Sequence, residues 1–185
     1  MSTPLIILIV VVIVLILMYN SLVGKKNQVE NIFASVDTQL KKRYDLIPNL
    51  VASVSKYMEH EKSTLEEVTK LRADANKPNI SDEQKIALDA KITSALGSIM
   101  IAVENYPELK ANQNVMHLQH SLNEIEEQIS AARRAYNQAV TDYNNAIEMI
   151  PTNFMATAMN YKRKAVFEIS EGERQNVNVK ELFNA

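Results

Sequence analysis

Apolar residues follow two different rules along this chain. Leu5, Ile6, Ile7, Leu8, Ile9, Val10, Val11, Val12, Ile13, Val14, Leu15, Ile16, Leu17 and Met18 are continuous, with no charge, glycine or proline among them. After Lys25 the apolar residues recur mostly at steps of three and four, the spacing of one helical face. The first rule predicts a helix in lipid, because a core helix keeps a polar face and this run has none. A helix spans the hydrocarbon core with about 20 residues at 1.5 Å rise each. The run alone falls short, and the uncharged residues Tyr19, Asn20, Ser21, Leu22 and Val23 complete it. A cleaved signal peptide is the rival. It is opposed by the absence of Lys or Arg before the run and of an A-x-A-like site after it. Lys25 and Lys26 follow at once, so the positive-inside rule places them in the cytoplasm and the N-terminus outside.

The second rule predicts three long helices. On the first, from about Lys25 to Lys77, the stripe is Val29, Ile32, Phe33, Val36, Leu40, Ile47, Leu50, Val51, Val54, Met58, Leu65, Val68 and Leu71. Pro48 lies inside it, lacks a backbone donor and clashes with the preceding turn, which predicts a kink or short break near Leu46 and Ile47. Asn76-Lys77-Pro78-Asn79 is a stop signal, and Ser81-Asp82-Glu83-Gln84 reads as a capping box. The second helix carries Ile86, Ile92, Leu96, Ile99, Met100 and Val103 and ends before Pro107. The third starts between Glu108 and Asn114. Its heptad-like seam is Val115, Leu118, Leu122, Ile125, Ile129, Ala132, Tyr136, Val140, Tyr143, Ile147 and Ile150, closed by Pro151. Beyond it Phe154, Met155, Met159, Tyr161, Val166, Phe167 and Ile169 are apolar but irregular, which predicts an extended or short-helical strap over the bundle. Glu171 to Lys180 is a polar tail.

The expected architecture is therefore all-α. Residues 1–24 form a transmembrane helix with a short outside tail, 25–151 an antiparallel bundle of three long helices standing off the membrane on a helical stem, and 152–185 an irregular strap and tail. Composition agrees: only 3 glycines in 185 residues leave few tight turns for a β-rich fold. The 20 basic and 22 acidic residues nearly cancel, which argues against a general nucleic-acid binder. With no cysteine there is no disulfide, thiolate metal site, thiol nucleophile or lipoprotein anchor.

Catalytic patterns are missing: there is no G-x-S-x-G, H-E-x-x-H, P-loop or G-x-G-x-x-G. His117, His120 and Glu124 have zinc-ligand chemistry on one helix, but Leu118 and Leu122 mark the core side, so a solvated face is the preferred reading. No catalytic, cofactor or metal residue is assigned. More informative are the polar interruptions of apolar stripes. Arg43, Asp45, Pro48 and Asn49 fall within two turns, and Arg133 precedes a Tyr-Asn pair repeated seven residues apart, Tyr136-Asn137 and Tyr143-Asn144, with Asp142 beside it. A buried Tyr hydroxyl needs a partner, which predicts a hydrogen-bonded network fixing helix register, with a partner-binding face as the alternative.

The same residues carry a family resemblance. Tyr19-Asn20-x-Leu22-Val23, Arg43-x-Asp45-Leu46-Ile47-Pro48-Asn49-Leu50-Val51 with Tyr57-x-x-His60-Glu61, Glu104-x-Tyr106-Pro107-x-Leu109-Lys110-Ala111, and Arg133-Arg134-x-Tyr136-Asn137-x-Ala139-Val140-x-Asp142-Tyr143-Asn144 occur in an order that resembles the LemA family of bacterial membrane proteins. The resemblance implies one transmembrane helix, an outside N-terminus and a helical cytoplasmic domain at the bacterial inner membrane. It implies no reaction. A branch of the family concerned with magnetosome membranes implies a theme of membrane organisation. The departure is at the end, where Val177-Asn178-Val179 lacks the family's proline.

The function expected from these features is a non-enzymatic, membrane-anchored scaffold that self-associates and organises membrane or membrane proteins. The alternative is an adaptor holding a protease, transporter or signalling partner. The expected partners are the lipid bilayer, further copies of the chain and a membrane protein, with no nucleic acid, small-molecule substrate or cofactor.

Overall fold

The computed structural model describes residues 2–167, and all regular structure among them is helical. Helix α1 (Thr3–Val54) carries the apolar run and the first soluble stripe without interruption. Helices α2 (Lys62–Ala75), α3 (Asp82–Val103), a single turn α4 (Pro107–Lys110), α5 (Gln113–Glu148) and a short α6 (Thr152–Ala158) follow. The soluble half of α1, α2, α3 and α5 alternate in direction. The α1–α5 pair makes the most extensive packing, and α2 against α3 the next.

Helix boundaries follow local chemistry. The Ser81 capping box forms, with the Ser81 hydroxyl accepting from the Gln84 N–H (3.2 Å) and the Gln84 side chain from the Ser81 N–H (2.9 Å). Asn112 caps α5 by accepting from the N–H groups of Asn114 and Val115. Helix α6 ends in a Schellman turn: Asn160 adopts φ 53°, and the Tyr161 N–H reaches back to the Ala156 carbonyl.

The first soluble helix differs from the expectation at Pro48. Helix α1 passes through the proline and ends at Val54, and the chain turns between Ser55 and Glu61, dividing the expected helix into α1 and α2. Pro48 offers no N–H to the carbonyl four residues back, which is that of Tyr44. Arg72 of α2 donates its Nε–H to that carbonyl at 2.9 Å. The orphaned acceptor is thus satisfied by a neighbouring helix, and of the kink or short break expected near Leu46 and Ile47 the break is absent.

A second difference concerns the stem. Leu5 to Leu17 are exposed on all sides, Met18 is partly covered, and Leu22 is fully buried. Packing on α1 therefore starts immediately below the apolar run, and no free stem separates the run from the core. From there the core runs through Val29, Val36, Leu40, Ile47, Leu50 and Val54 of α1 to Ile92 and Ile99 of α3 and Ile129 and Val140 of α5. Each large apolar side chain so buried contributes about 1.5–3 kcal/mol before entropy. Ile150, expected in the seam, is 78% exposed instead, because α5 ends at Glu148 and the chain turns away. The strap crosses the bundle as α6 and then an extended segment to Phe167. The polar tail from Glu171, with Ile169 and the Val177–Val179 segment, lies outside the described residues.

Candidate functional site: a buried charge cluster and an asparagine clasp

Two polar constructions interrupt the apolar core. The first joins three helices. Arg43 of α1 is 1% exposed and Asp89 of α3 is 0% exposed. The Arg43 Nη2 donates to Asp89 Oδ1, and its Nη1 donates to Glu126 Oε2 of α5 (2.6 Å) and to Thr93 Oγ1 (2.9 Å). Arg133 of α5 closes the ring, with Nη2 2.5 Å from Asp89 Oδ2 and Nη1 3.4 Å from Glu126 Oε1. Two arginines and two carboxylates alternate, so the formal charges cancel. Both oxygens of each carboxylate accept from arginine, and neither carboxylate is available as a general base.

Desolvating four charges offsets most of their attraction, so the ring is a weak source of net stability. Its geometry is another matter: the ring forms only when α1, α3 and α5 share one axial register. Tyr44, next to Arg43, has its phenol pushed above its ordinary pKa by burial and then by the Asp89 charge.

The second construction holds the strap to α5. The Asn144 amide donates to the Lys164 carbonyl and accepts from the Lys164 N–H, both at 3.0 Å. Asn137 does the same with Phe167, at 2.9 and 2.8 Å. The Tyr143 hydroxyl donates to the Lys162 carbonyl (3.1 Å). The repeat distances match: seven helical residues span about 10.5 Å, and three extended residues about 10 Å. A heptad of asparagines on a helix is therefore a ladder with a three-residue rung spacing for an extended chain.

Aromatic rings join the two constructions. Phe167 meets Tyr136 edge-on with centroids 5.4 Å apart, and Tyr136 lies 5.4 Å from Phe33 of α1. The Arg133 guanidinium sits 5.6 Å from the Phe167 ring. Burial, with the nearby Asp82 and Glu83 charges, pushes the Tyr136 phenol up to about 12.

The residues singled out in the sequence separate by what they touch. Arg43 and Arg133 enter the charge ring, while Tyr136, Asn137, Tyr143 and Asn144 hold or line the strap. Asp45 pairs with Lys41 on the surface (2.6 Å), Asp142 accepts from Gln138 (3.0 Å), and Asn49 is exposed; these three lie outside both constructions. Pro48 acts through the carbonyl that it frees. His120 and Glu124 are 3.7 Å apart on an exposed face, and His117 is exposed as well. Among the described residues no three His, Cys, Asp or Glu side chains are grouped to hold a metal.

Asp89 and Glu126 were not anticipated, yet Asp89 leaves a signal. The α1 stripe skips from Leu40 to Ile47 and the α3 stripe from Ile86 to Ile92. Arg43 and Asp89 occupy those two gaps and are each other's partner.

The blocks that suggested a family converge in space. The Arg43 block meets the Arg133 block in the charge ring. The Glu61 block meets the Tyr106 block at the opposite end of the bundle, where the Tyr106 hydroxyl donates to Glu61 (2.9 Å), a bond that raises the phenol's pKa. The sequence profile described as "LemA family" matches residues 32–180. The chain belongs to the LemA family. It is 27% identical over 165 residues to Protein LemA of Metamycoplasma hominis, covering 89% of this chain and 75% of that protein. It is 34% identical over 83 residues to Magnetosome protein MamQ 2 of Paramagnetospirillum magneticum, covering 45% of this chain and 30% of that protein. It is 30% identical over 82 residues to Magnetosome protein MamQ of Magnetospirillum gryphiswaldense, covering 44% and 30%. The chain thus spans under a third of the magnetosome relatives. Within this LemA family member, the candidate membrane anchor is the exposed apolar half of α1. Helix α3 is also long and apolar enough to cross a membrane, but it packs on α2 and contributes Asp89 to the charge ring.

Proposed function

We propose that this protein is a non-enzymatic scaffold of the bacterial inner membrane, with its N-terminus outside and its bundle in the cytoplasm, which self-associates to organise the bilayer or proteins within it. The observation that carries the reading is the continuity of α1. One helix runs from an all-apolar exposed segment into the bundle core, so tether and bundle move as a unit. The charge ring, in which both oxygens of each carboxylate accept from arginine, supports a structural role for the most conspicuous buried polar residues. The magnetosome relatives, by their names, support a link to an organelle. Copies meet through the tether, where Leu5 to Leu17 stay exposed. Mass photometry of the full chain in mild detergent tests self-association: species of several copies are expected, and a monodisperse monomer at micromolar concentration overturns it.

A second reading, an adaptor for another membrane protein, is favoured by a cleft of about 810 Å³ between α1 and α2. Val51, Met58 and Leu65 supply an apolar lining, with Glu59, Glu66, Lys62 and Lys70 around it. Crosslinking in native membranes separates the two readings: copies of the chain support the scaffold, and one foreign protein captured at this cleft supports the adaptor.

A further inference from the structure

The end of the bundle nearest the tether carries an apolar surface that its core does not use. Where α5 turns into α6, Met149 is 63% exposed, Ile150 78% and Phe154 71%. The position of this corner along α1 follows from the antiparallel register. Phe33 faces Tyr136, and Arg43 binds Glu126. Each step up one helix is a step down the other, which carries Glu148, the last residue of α5, to the level of Ser21, with Met149 and Ile150 just beyond it. Helix α6 packs against α1, and covering of α1 begins at Met18 and is complete at Leu22. The corner therefore stands beside the last residues of the apolar run.

Its shape is held by hydrogen bonds. The Thr152 hydroxyl lies 2.5 Å from the Ala146 carbonyl and 2.9 Å from that of Met149, and the Asn153 N–H donates to the Met149 carbonyl. The apolar side chains are thus presented outward on a closed turn. Around them Lys25, Lys26, Lys162 and Arg163 outnumber Glu30 and Glu148, the carboxylates that pair with Lys26 and Arg163, while Lys164 lies toward Asp82 and Glu83 of α3. Lys26 also lies 5.9 Å from the Tyr161 ring.

We infer that the α5–α6 corner is a membrane-interface wedge: Met149, Ile150 and Phe154 enter the headgroup and upper acyl region of the leaflet from which α1 emerges. The inference rests on α1 as the membrane anchor. The occupant is lipid because the patch stands at the end of the bundle from which the apolar tether leaves, and because the surrounding cations suit anionic headgroups. Thr3 to Ser21 span about 28 Å as a helix, so burying Leu22 in protein leaves enough for the hydrocarbon core. The wedge also fixes the rotation of the bundle about α1, since a single helix by itself leaves that angle free.

The absence of cysteine makes the test direct. Full-length Met149→Cys, Ile150→Cys and Phe154→Cys variants carry an environment-sensitive fluorophore in nanodiscs of phosphatidylcholine and phosphatidylglycerol, with lipid-borne and aqueous quenchers. Val10→Cys reports on the tether, and Ile101→Cys, on a 72% exposed side chain at the far end, reports on bundle surface in water. A blue shift and lipid quenching at 149, 150 and 154, weakened in phosphatidylcholine alone, is expected. If Val10 is lipid-quenched and the corner behaves like Ile101, the wedge is wrong and the anchor stands. If Val10 escapes lipid quenching, the anchor itself fails. Protection from both quenchers at the corner means that protein covers it, a second copy or another chain, and also overturns the wedge. Each substituted side chain is exposed, and thermal melts identical to the parent establish that the fold is kept.

Discussion

The two halves of α1 are one helix with two kinds of surface. Above Met18 every face is apolar and exposed, while below it only one stripe is apolar and that stripe is buried against α5, α2 and α3. Backbone hydrogen bonding is the same in both. The difference lies in what each half requires of its surroundings. The upper half needs a medium that is apolar on all sides. The lower half needs partners on one side, and it admits a charge at Arg43 because two other helices bring carboxylates to it. A charge is therefore costly in the upper half and indispensable in the lower.

The largest break in this contrast comes from Asp89→Asn, which leaves the buried Arg43 and the partly buried Arg133 sharing one partly exposed carboxylate. A loss of about 3–5 kcal/mol is expected, read as the urea midpoint of the full chain in detergent, with membrane retention unchanged. Val11→Arg inverts the outcome. Insertion becomes less favourable by about 2.5–3.5 kcal/mol, so the carbonate-resistant membrane fraction falls while the bundle melts as before. Asn137→Leu or Asn144→Leu strips two hydrogen bonds from the strap and costs about 1–3 kcal/mol. The readout is faster trypsin cleavage after Lys162 and Arg163, with α1 packing intact. High pH loosens the lower half alone. Tyr44 and Tyr136 have folded pKa values above the ordinary 10.0. Their contribution is therefore present below about 10 and is lost as pH rises toward and beyond 12. Melting temperatures of the parent should fall across that window more steeply than those of Tyr136→Phe. The smallest effect belongs to Lys41→Ala, whose i,i+4 pair with Asp45 is solvated and worth at most about 1 kcal/mol.

Much of this was legible because it is local. The unbroken run from Leu5, the Ser81 box, the α5 seam and the stops before Pro107 and Pro151 each depend on neighbours within a few residues. The strap was legible in outline, since periodicity ends at Pro151 while apolar residues continue. Its attachment was not, because the partners of Asn137 and Asn144 are backbone groups 30 and 20 residues away and any residue type supplies those. Pro48 shows the limit from the other side. Its missing donor is written in the chain, but the Arg72 side chain that fills the Tyr44 carbonyl comes from another helix.

Sequence by itself determined the two apolar patterns of the molecule, the helical class, the family and the positions where polar residues break apolar stripes. These are matters of spacing and composition, which hydrophobicity and backbone sterics convert into structure over a few turns. Tertiary structure alone decided that Arg43 and Asp89 neutralise one another, that the α1 core begins at Leu22, and that Met149, Ile150 and Phe154 point outward beside the tether. Those outcomes depend on the axial register of antiparallel helices. Register is set by the summed packing of side chains far apart in the chain, and no local window contains it.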